Sequence, residues 1–283
     1  MIRILGIAMV LGLVGALTVM AQEVKPGKAD VVDFGEGVKL EMVLVPAGKF
    51  KMGFTKKELA EVKNVIQKSI NNVLGEDSSR DLLNQLMSYQ GKQHEVTLTK
   101  PYYMGKYEVT QEQWEAVMGE NRSKNKGAKL PVTDVSWEDC QEFIKKLNAK
   151  TKGGYRLPTE SEWEYACRAR TTTAYSFGDK ITPKDANFSD SKIGNQIAVG
   201  SYKPNAFGLY DMHGNVSEWC EDKGGDYPDV AVIDPKGPAT GRHGVERGGS
   251  FLNGVSFERS SFRGYIPPTG RRDSGGFRLA RTP

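Results

Sequence analysis

The chain has 283 residues, of which 38% are hydrophobic and 26% are charged, so it can bury a core as one large domain or two small ones. The formal net charge is only +4, from 39 basic and 35 acidic residues, and no block of Lys or Arg is present of the kind that follows a nucleic-acid backbone. Glycine is plentiful at 32 residues and predicts turns and irregular backbone, especially in the second half of the chain.

The chain opens with the features of a secretory signal peptide. One positive charge at Arg3 precedes a long apolar stretch, and Val19 and Ala21 are small residues in front of polar sequence. We therefore expect cleavage after residue 21 and an exported product, periplasmic or secreted, with no membrane span after cleavage. An uncleaved membrane anchor is the alternative, which these small residues disfavour. No cysteine lies near the cleavage point, so lipid attachment is not indicated.

The next segment, residues 22–40, is charged and short of large apolar residues, which predicts a linker. We expect the folded domain to cover residues 41–283. At its start, apolar and polar residues alternate on both sides of a Pro-Ala-Gly turn in residues 42–53, which is typical of a β-hairpin.

A helical insertion is predicted at residues 55–90. Apolar residues recur there at steps of three and four, which indicates an amphipathic helix at 55–74 followed by a shorter helix at 79–89. Alternation then returns at 94–98, which predicts a strand, and a second strand at 102–107 is expected to pair with it.

N-terminal capping patterns predict three further helices. In each, a Thr or Ser is followed three residues later by a side chain that reaches back to the cap, as in a capping box. The pairs are Thr110 with Gln113, Ser136 with Asp139, and Thr159 with Glu162. Trp114 and Trp163 follow at staple positions, which favours packing in the core over stacking on a ligand.

From residue 170 to the end, turn residues interrupt the chain every few positions, so only short strands fit. We predict them at 197–199, 247–252, 262–265 and 276–280. The cysteines Cys140, Cys167 and Cys220 allow at most one disulfide and lack the paired spacing of a zinc site or a redox dithiol.

Seven strings in a fixed order carry a family resemblance. They are "MVLVPAGKFKMG", "KYEVTQEQWEAVMG", "PVTDVSWEDC", "YRLPTESEWEYACR", "FGLYDMHGNVSEW", "RGGSF" and "GGFRLA". Together they resemble the formylglycine-generating, sulfatase-modifying-factor family over residues 41–283. The resemblance implies a single α+β domain with a loop-rich variant of the C-type lectin fold, little regular secondary structure and bound calcium.

A calcium site is predicted in the glycine-rich loop "GLYDMHGNVSEW". Its carboxylates and freely turning backbone are typical of a Ca²⁺ cage, although a solvated turn has the same composition. The resemblance assigns the ligands to the Asp211 side chain, the Gly214 and Val216 carbonyls and the Glu218 carboxylate. A second calcium would use the Asn187 side chain and the Phe188 carbonyl, but the loop at 189–195 is shorter than the family's usual one.

The chemistry of the family's catalytic members is not expected here. Those members oxidise a substrate cysteine to formylglycine with copper held by two cysteines that follow a "GGS" tripeptide. In this chain Asn253 and Glu258 occupy those positions, and neither offers the soft sulfur that copper(I) prefers. We therefore predict no copper and no formylglycine-forming residues.

Two functions stay open. One is binding of a protein, peptide or glycan through residues 251–275, since lectin-like relatives, some diversified by retroelements, use that segment for recognition. The predicted contacts are Ser250, Phe251, Asn253, Phe257, Glu258, Tyr265 and Arg271. The other is a diverged oxidoreductase or maturation enzyme, similar to the one that matures the pyoverdine chromophore, with Glu258 as an acid or base.

Overall fold

The computed structural model describes residues 29–35, 37–74 and 76–282. The predicted signal peptide at residues 1–21 lies outside this part of the chain. The helices are α1 (Lys56–Leu74), α2 (Glu76–Ser88), α3 (Gln111–Met118), α4 (Trp137–Lys150) and α5 (Glu160–Arg168). The strands are β1 (Ala29–Asp33), β2 (Lys39–Val45), β3 (Gly48–Met52), β4 (His94–Leu98), β5 (Tyr102–Gly105), β6 (Tyr155–Arg156), β7 (Ser217–Lys223), β8 (Val232–Ile233), β9 (Gly244–Arg247), β10 (Gly264–Ile266), β11 (Gly275–Gly276) and β12 (Ala280–Arg281).

The strands form three small sheets. Their orders are β1-β2-β5-β12-β6, β10-β9-β7-β11 and β3-β4-β8. Neighbours are antiparallel except in the pairs β7 with β11 and β4 with β8. β12 pairs with both β5 and β6. This strand near the end of the chain therefore lies in the same sheet as β1, the first described strand. Within the described residues, no helix is long and apolar enough to cross a bilayer.

The predicted hairpin at residues 42–53 is wrong, although both of its strands exist. β2 pairs with β1 and β5, whereas β3 pairs with β4 in another sheet. Likewise β4 is found where a strand was predicted, but it does not pair with β5. Alternation reports which face of a strand is buried and says nothing about its partner, which long-range burial decides. Residues 29–33 of the predicted linker form β1, so that part of it is folded into the sheet.

All three capped helices are confirmed. At Thr110, Ser136 and Thr159 the cap side chain accepts the backbone N–H three residues on, and the residue there accepts the cap's own N–H. Trp114 and Trp163 are buried, as their staple positions predict.

The later strands are shorter than predicted. Residues 197–199 are irregular, and β9 ends at Arg247 because Gly248 and Gly249 take φ values of 94° and 69°, which no strand continues through. The predicted strand at 276–280 is divided between β11 and β12.

Hydrophobic residues gather in three clusters. Two fill the space between the sheets and helices α3 to α5. The third joins the helical insertion to the segment after β9, where Val62, Ile66 and Leu83 pack with Phe257 and Phe262. The insertion therefore lies directly over the segment that sequence assigned to recognition. The thiols of Cys140, Cys167 and Cys220 are all buried and free.

Candidate functional site

A cavity of about 180 Å³ lies where the insertion meets the central four-stranded sheet. Leu86 and Tyr89 line it from the insertion side. Opposite them are residues of β9, β10 and the connection between these strands. These include Gly249, Asn253, Phe257, Phe262, Arg263 and Tyr265. Four aromatic rings thus contribute to the wall beside charged side chains such as Glu246 and Arg272, and a planar group is a shape that aromatic rings accommodate.

The insertion is fixed to the sheet by specific bonds. Gln90 holds Arg263 by two bonds of 3.0 Å, with its Oε1 accepting the Arg263 N–H and its Nε2 donating to the Arg263 carbonyl. The ring centroids of Tyr89 and Tyr265 lie 4.4 Å apart. Arg259 lies 3.7 Å from both Glu58 and Glu61 of α1. Through these contacts the insertion forms one wall of the cavity.

Arg263 supports that wall from below. Its guanidinium carbon lies 3.9 Å from the ring centre of Tyr227 and 5.0 Å from that of Tyr265. Both oxygens of Glu160 accept its N–H groups, at 2.6 and 2.8 Å. Because Arg263 and Glu160 are buried, this pair is a structural ion pair and leaves no free charge for a ligand.

A second buried pair holds the segment after β9 in place. Arg247 donates to the carbonyls of Ser260, Ser261 and Phe262 and to a carboxylate oxygen of Glu164. The other Glu164 oxygen accepts from Arg168 and from the Gly53 N–H at the base of the insertion. Helix α5 therefore positions both sides of the cavity through one carboxylate.

The two positions of the family's cysteine pair form a closed polar arrangement. Asn253 Oδ1 accepts the Ser250 hydroxyl at 2.7 Å, and Glu258 Oε1 accepts the Ser250 N–H at 3.3 Å. Glu258 is fully buried, its Oε2 has no hydrogen-bond partner, and burial raises the pKa of its carboxyl well above the usual range. The carboxyl is consequently enclosed, and burial disfavours its charged form.

Glycine makes room for this carboxyl. A Cβ on Gly249 would lie 2.4 Å from a Glu258 oxygen, and one on Gly214 would lie 3.3 Å from Oε2. The Glu258 backbone carbonyl accepts the Nδ1–H of His213 at 2.7 Å. Burial lowers the pKa of His213 to about 4, so the ring stays neutral. Glu258 is therefore not among the residues that line the cavity.

No cysteine replaces the missing pair. Among the described residues that line the cavity there is no thiol. Cys167 Sγ lies 3.6 Å from His213 Nε2, but burial raises the pKa of that thiol to about 12. A thiol that stays protonated is neither a nucleophile nor a metal ligand.

The predicted ligand-binding residues divide into three groups. Asn253, Phe257 and Tyr265 line the cavity together. Ser250, Phe251 and Glu258 are buried in the protein interior, so they shape the site from behind and present no surface. Arg271 lies elsewhere, in an ion pair with Asp139 at 2.7 Å.

The loop predicted to bind calcium turns at Asp211, whose φ of 56° lies in the left-handed region. Asp211 Oδ2 accepts the Gly200 N–H at 2.6 Å. Glu218 is differently placed, since its oxygens accept from Arg278 twice and from Trp163 Nε1, all at 2.6 Å. Protein donors thus satisfy both oxygens of Glu218. Asp211 accepts only the Gly200 N–H among the hydrogen bonds of the described residues, so it is the better placed of the two carboxylates to bind a cation.

Glu108 is the carboxylate that sequence reasoning missed here. It is buried, and its Oε2 has no hydrogen-bond partner. Burial raises the pKa of Glu108 well above the usual range, and burial also raises the pKa of Asp211 to about 6. Its only sequence signal is the position of Glu108 between two apolar residues in "KYEVT", at the start of the first capped helix.

The Glu108 and Asp211 carboxylates fit a cation. An orphaned buried carboxylate oxygen beside a second carboxylate is what a bound Ca²⁺ would satisfy. Within the described part of the chain, no three His, Cys, Asp or Glu side chains are arranged to hold a metal ion. Carbonyl oxygens, such as those predicted at Gly214 and Val216, would therefore have to complete the site.

The second predicted calcium position does not fit a cation. The Ser191 hydroxyl lies 2.9 Å from Asn187 Oδ1 and 2.5 Å from the Phe188 carbonyl. The Ser191 N–H also donates to the Phe188 carbonyl at 2.9 Å. The short loop thus places a hydroxyl against the two oxygens that sequence had reserved for a metal, and hydrogen bonds close it instead.

Comparison with known proteins gives one consistent result. The sulfatase-modifying factor enzyme 1-like domain matches residues 31–283. The formylglycine-generating enzyme of Streptomyces coelicolor is 35% identical over 169 residues, 53% of this chain and 52% of that enzyme. The chain thus spans about half the length of this curated relative.

Two solved structures cover nearly the whole chain. Treponema denticola variable protein 1 has a TM-score of 0.75 and 26% identity, over 90% of this chain and 99% of its own. PvdO from Pseudomonas aeruginosa has a TM-score of 0.71 and 28% identity, over 91% and 98%. These neighbours confirm the predicted fold class, a loop-rich α+β variant of the C-type lectin fold.

Proposed function

Because the chain belongs to the sulfatase-modifying factor enzyme 1-like family, we propose that it is an exported, calcium-stabilised binding protein of that family which does not make formylglycine. The single observation that carries this proposal is the cavity at the insertion. Its lining includes the Asn253 amide, at one of the two positions that the resemblance assigns to the catalytic thiols, together with four aromatic rings. Export is proposed from the signal-like sequence of residues 1–21 alone.

The loss of formylglycine chemistry follows from the ligand set. Copper(I) needs soft sulfur donors, and the two positions hold the Asn253 amide and the enclosed Glu258 carboxyl. Burial raises the pKa of Glu258 and so disfavours the charged form that a metal would require. No rearrangement of these two side chains supplies a thiolate.

The same cavity favours a small planar group as ligand. Its volume of about 180 Å³ is smaller than typical sites for drug-sized molecules. Tyr89, Phe257 and Tyr265 offer ring faces and edges, and Asn253 Nδ2 offers a donor at the same wall. An aromatic side chain of a peptide or an aromatic substituent on a glycan would satisfy these walls.

Two experiments test the two halves of this proposal. Protein incubated with copper(I) and a cysteine-containing sulfatase peptide should leave the cysteine unmodified in mass spectra, while the Streptomyces coelicolor enzyme converts it in parallel. Formation of formylglycine by this protein would refute the proposal. Titration with p-nitrophenyl glucoside, against methyl glucoside as the ring-free control, should shift the ¹H–¹⁵N signals of Asn253, Phe257 and Tyr265. Equal effects of the two glucosides, or none, would count against a planar-group site.

The calcium part of the proposal rests on Glu108 and Asp211. A ligand that binds only the folded state stabilises by about 2.7 kcal/mol when its free concentration is a hundred times Kd. For a domain of this size that corresponds to a rise in melting temperature of about 5–11 °C. Calcium in place of EDTA should produce such a rise in the wild type.

Matched variants locate the ion. Asp211→Asn and Glu108→Gln keep the side-chain shapes but remove a charge, so each should abolish most of the calcium response. Asp190→Asn removes an exposed carboxylate from the nearby loop and should leave the response intact. A wild type that melts equally in calcium and EDTA would eliminate the metal, and a full response in Asp211→Asn would move it elsewhere.

A diverged maturation enzyme is the second candidate. One observation favours it, namely the buried Glu258 carboxyl with an unpartnered oxygen, since strongly perturbed groups collect at functional sites. Metal analysis separates the two candidates. Copper or iron bound in stoichiometric amount to the purified protein would favour the enzyme, and calcium alone would favour binding.

A further inference from the structure

A second groove, of about 370 Å³, lies between β3 and the end of helix α5. Four cationic side chains contribute to it, and among the described residues that line it there is no carboxylate. The cationic residues are Lys49, Lys51, Arg168 and Arg170. Grooves lined by one sign of charge concentrate ligands of the opposite sign.

Two of these four cationic side chains form ion pairs with carboxylates of the protein, and two do not. Arg168 donates to Glu164, and Lys51 lies 3.6 Å from Glu95. Lys49 and Arg170 have no ion pair within the described residues. The groove thus keeps positive charge that the protein itself does not neutralise.

Arg170 stands in a backbone conformation that favours glycine. Its φ is 77°, directly after Ala169 with a φ of 44°. Side chains other than glycine rarely adopt the left-handed region, and such outliers gather at functional sites. The Arg170 guanidinium carbon lies 5.7 Å from the ring centre of Phe207, so a structural contact of modest strength is all that the protein gains from it.

The floor of the groove is built to stay open. Tyr165 packs tilted on Phe50 with ring centres 5.3 Å apart. A Cβ on Gly48 would lie 2.2 Å from the Tyr165 hydroxyl, so only glycine leaves the hydroxyl its place. That hydroxyl donates to the Ala47 carbonyl at 3.5 Å, a long bond that a closer ligand acceptor could replace.

We propose that this groove binds a small organic ligand, about the size of a sugar, that carries an oxyanion such as sulfate, phosphate or carboxylate. Lys49 and Arg170 would pair with the oxyanion, and the Tyr165 hydroxyl would donate to the ligand. A water molecule occupies only about 30 Å³ of the liquid. The groove volume of about 370 Å³ is therefore larger than a bare inorganic anion would fill. This site shares no residue with the cavity under the insertion and does not depend on the function proposed for it.

Four probes with one sugar body test the proposal. Glucose 6-sulfate, glucose 6-phosphate and glucuronate differ in their oxyanion, and glucose is the neutral control. In ¹H–¹⁵N titrations at least one charged probe should shift the signals of residues 49–51 and 170–172, and glucose should not. Which charged probe binds identifies the oxyanion. No shifts with any charged probe, or equal shifts with glucose, would overturn the proposal.

A variant pair separates the groove from overall charge. Arg170→Gly removes the guanidinium and relaxes the backbone, so it should fold at least as stably and bind about tenfold more weakly, as expected for loss of a charge-assisted hydrogen bond. Lys192→Gly is matched to it, because Lys192 is exposed with a φ of 57°, and it should bind like the wild type. Lys49→Gln provides a second reading at an ordinary backbone position. Unchanged binding in Arg170→Gly and Lys49→Gln, or equal weakening in Lys192→Gly, would refute the site.

Discussion

Glu164→Gln should destabilise the protein more than its size suggests. The Glu164 carboxylate accepts from Arg168, Arg247 and the Gly53 N–H, and the side chains of Glu164, Arg168 and Arg247 are buried. A glutamine keeps the shape but offers one oxygen in place of two and turns an NH₂ group towards a guanidinium. Breaking a buried charge pair in this way costs about 3–5 kcal/mol, because the remaining charges stay desolvated.

That cost corresponds to a fall in melting temperature of about 6–20 °C for a domain of this size. Urea unfolding followed by tryptophan fluorescence measures the free energy directly. Glu112→Gln is the control, because Glu112 pairs with the exposed Lys129 and should lose less than about 1 kcal/mol. If Glu164→Gln melts like Glu112→Gln, the network does not hold the insertion and the cavity as we describe.

Three further variants test single features. The pKa of Asp222 is raised to about 7 by burial and by Glu160. Its native state therefore keeps a proton that the unfolded chain loses, and stability falls as pH rises from about 4 to 7. Asp222→Asn should gain about 2–3 kcal/mol over the wild type between pH 5 and pH 8, and a pH-independent difference would contradict this. Gly249→Ala should unfold the protein or lower its melting temperature sharply, because its Cβ would collide with the Glu258 carboxyl. Gly254→Ala, with open space around its Cβ, should melt like the wild type. Similar melting temperatures for the two variants would refute the role of Gly249 in making room for Glu258. Ser136→Ala should lose about 1 kcal/mol through its helix cap, and an unchanged urea midpoint would argue against that cap.

Local chemistry decided what the sequence could predict at the helix starts. At Thr110, Ser136 and Thr159 the cap residue and its partner lie within four residues of one another. The hydrogen bonds that begin each helix can therefore be predicted from neighbouring residues in the sequence. The sequence also shows directly that residues 253 and 258, which the resemblance assigns to the thiol pair, are not cysteines. The order of the seven strings identified the fold by likeness.

Contacts between distant residues decided the rest. The partner of each strand depends on which faces the whole chain can bury together, so β2 and β3 entered different sheets despite a hairpin-like pattern. Glu108 reaches Asp211 only through folding, and the Ser191 hydroxyl meets Asn187 and Phe188 only because the short loop closes there.

Residues 251–275 show most clearly what the sequence predicts and what only the tertiary structure decides. From sequence alone, the aromatic residues between 251 and 275 are compatible with a binding face, but core packing is favoured for at least one of Phe251, Phe257 and Phe262. Tertiary packing placed Phe257 and Phe262 under the insertion and left a small cavity in place of an open surface. The sequence by itself thus determined the family fold. Only the folded chain determined what covers the cleft, because burial of apolar surface acts between segments that are far apart along the chain.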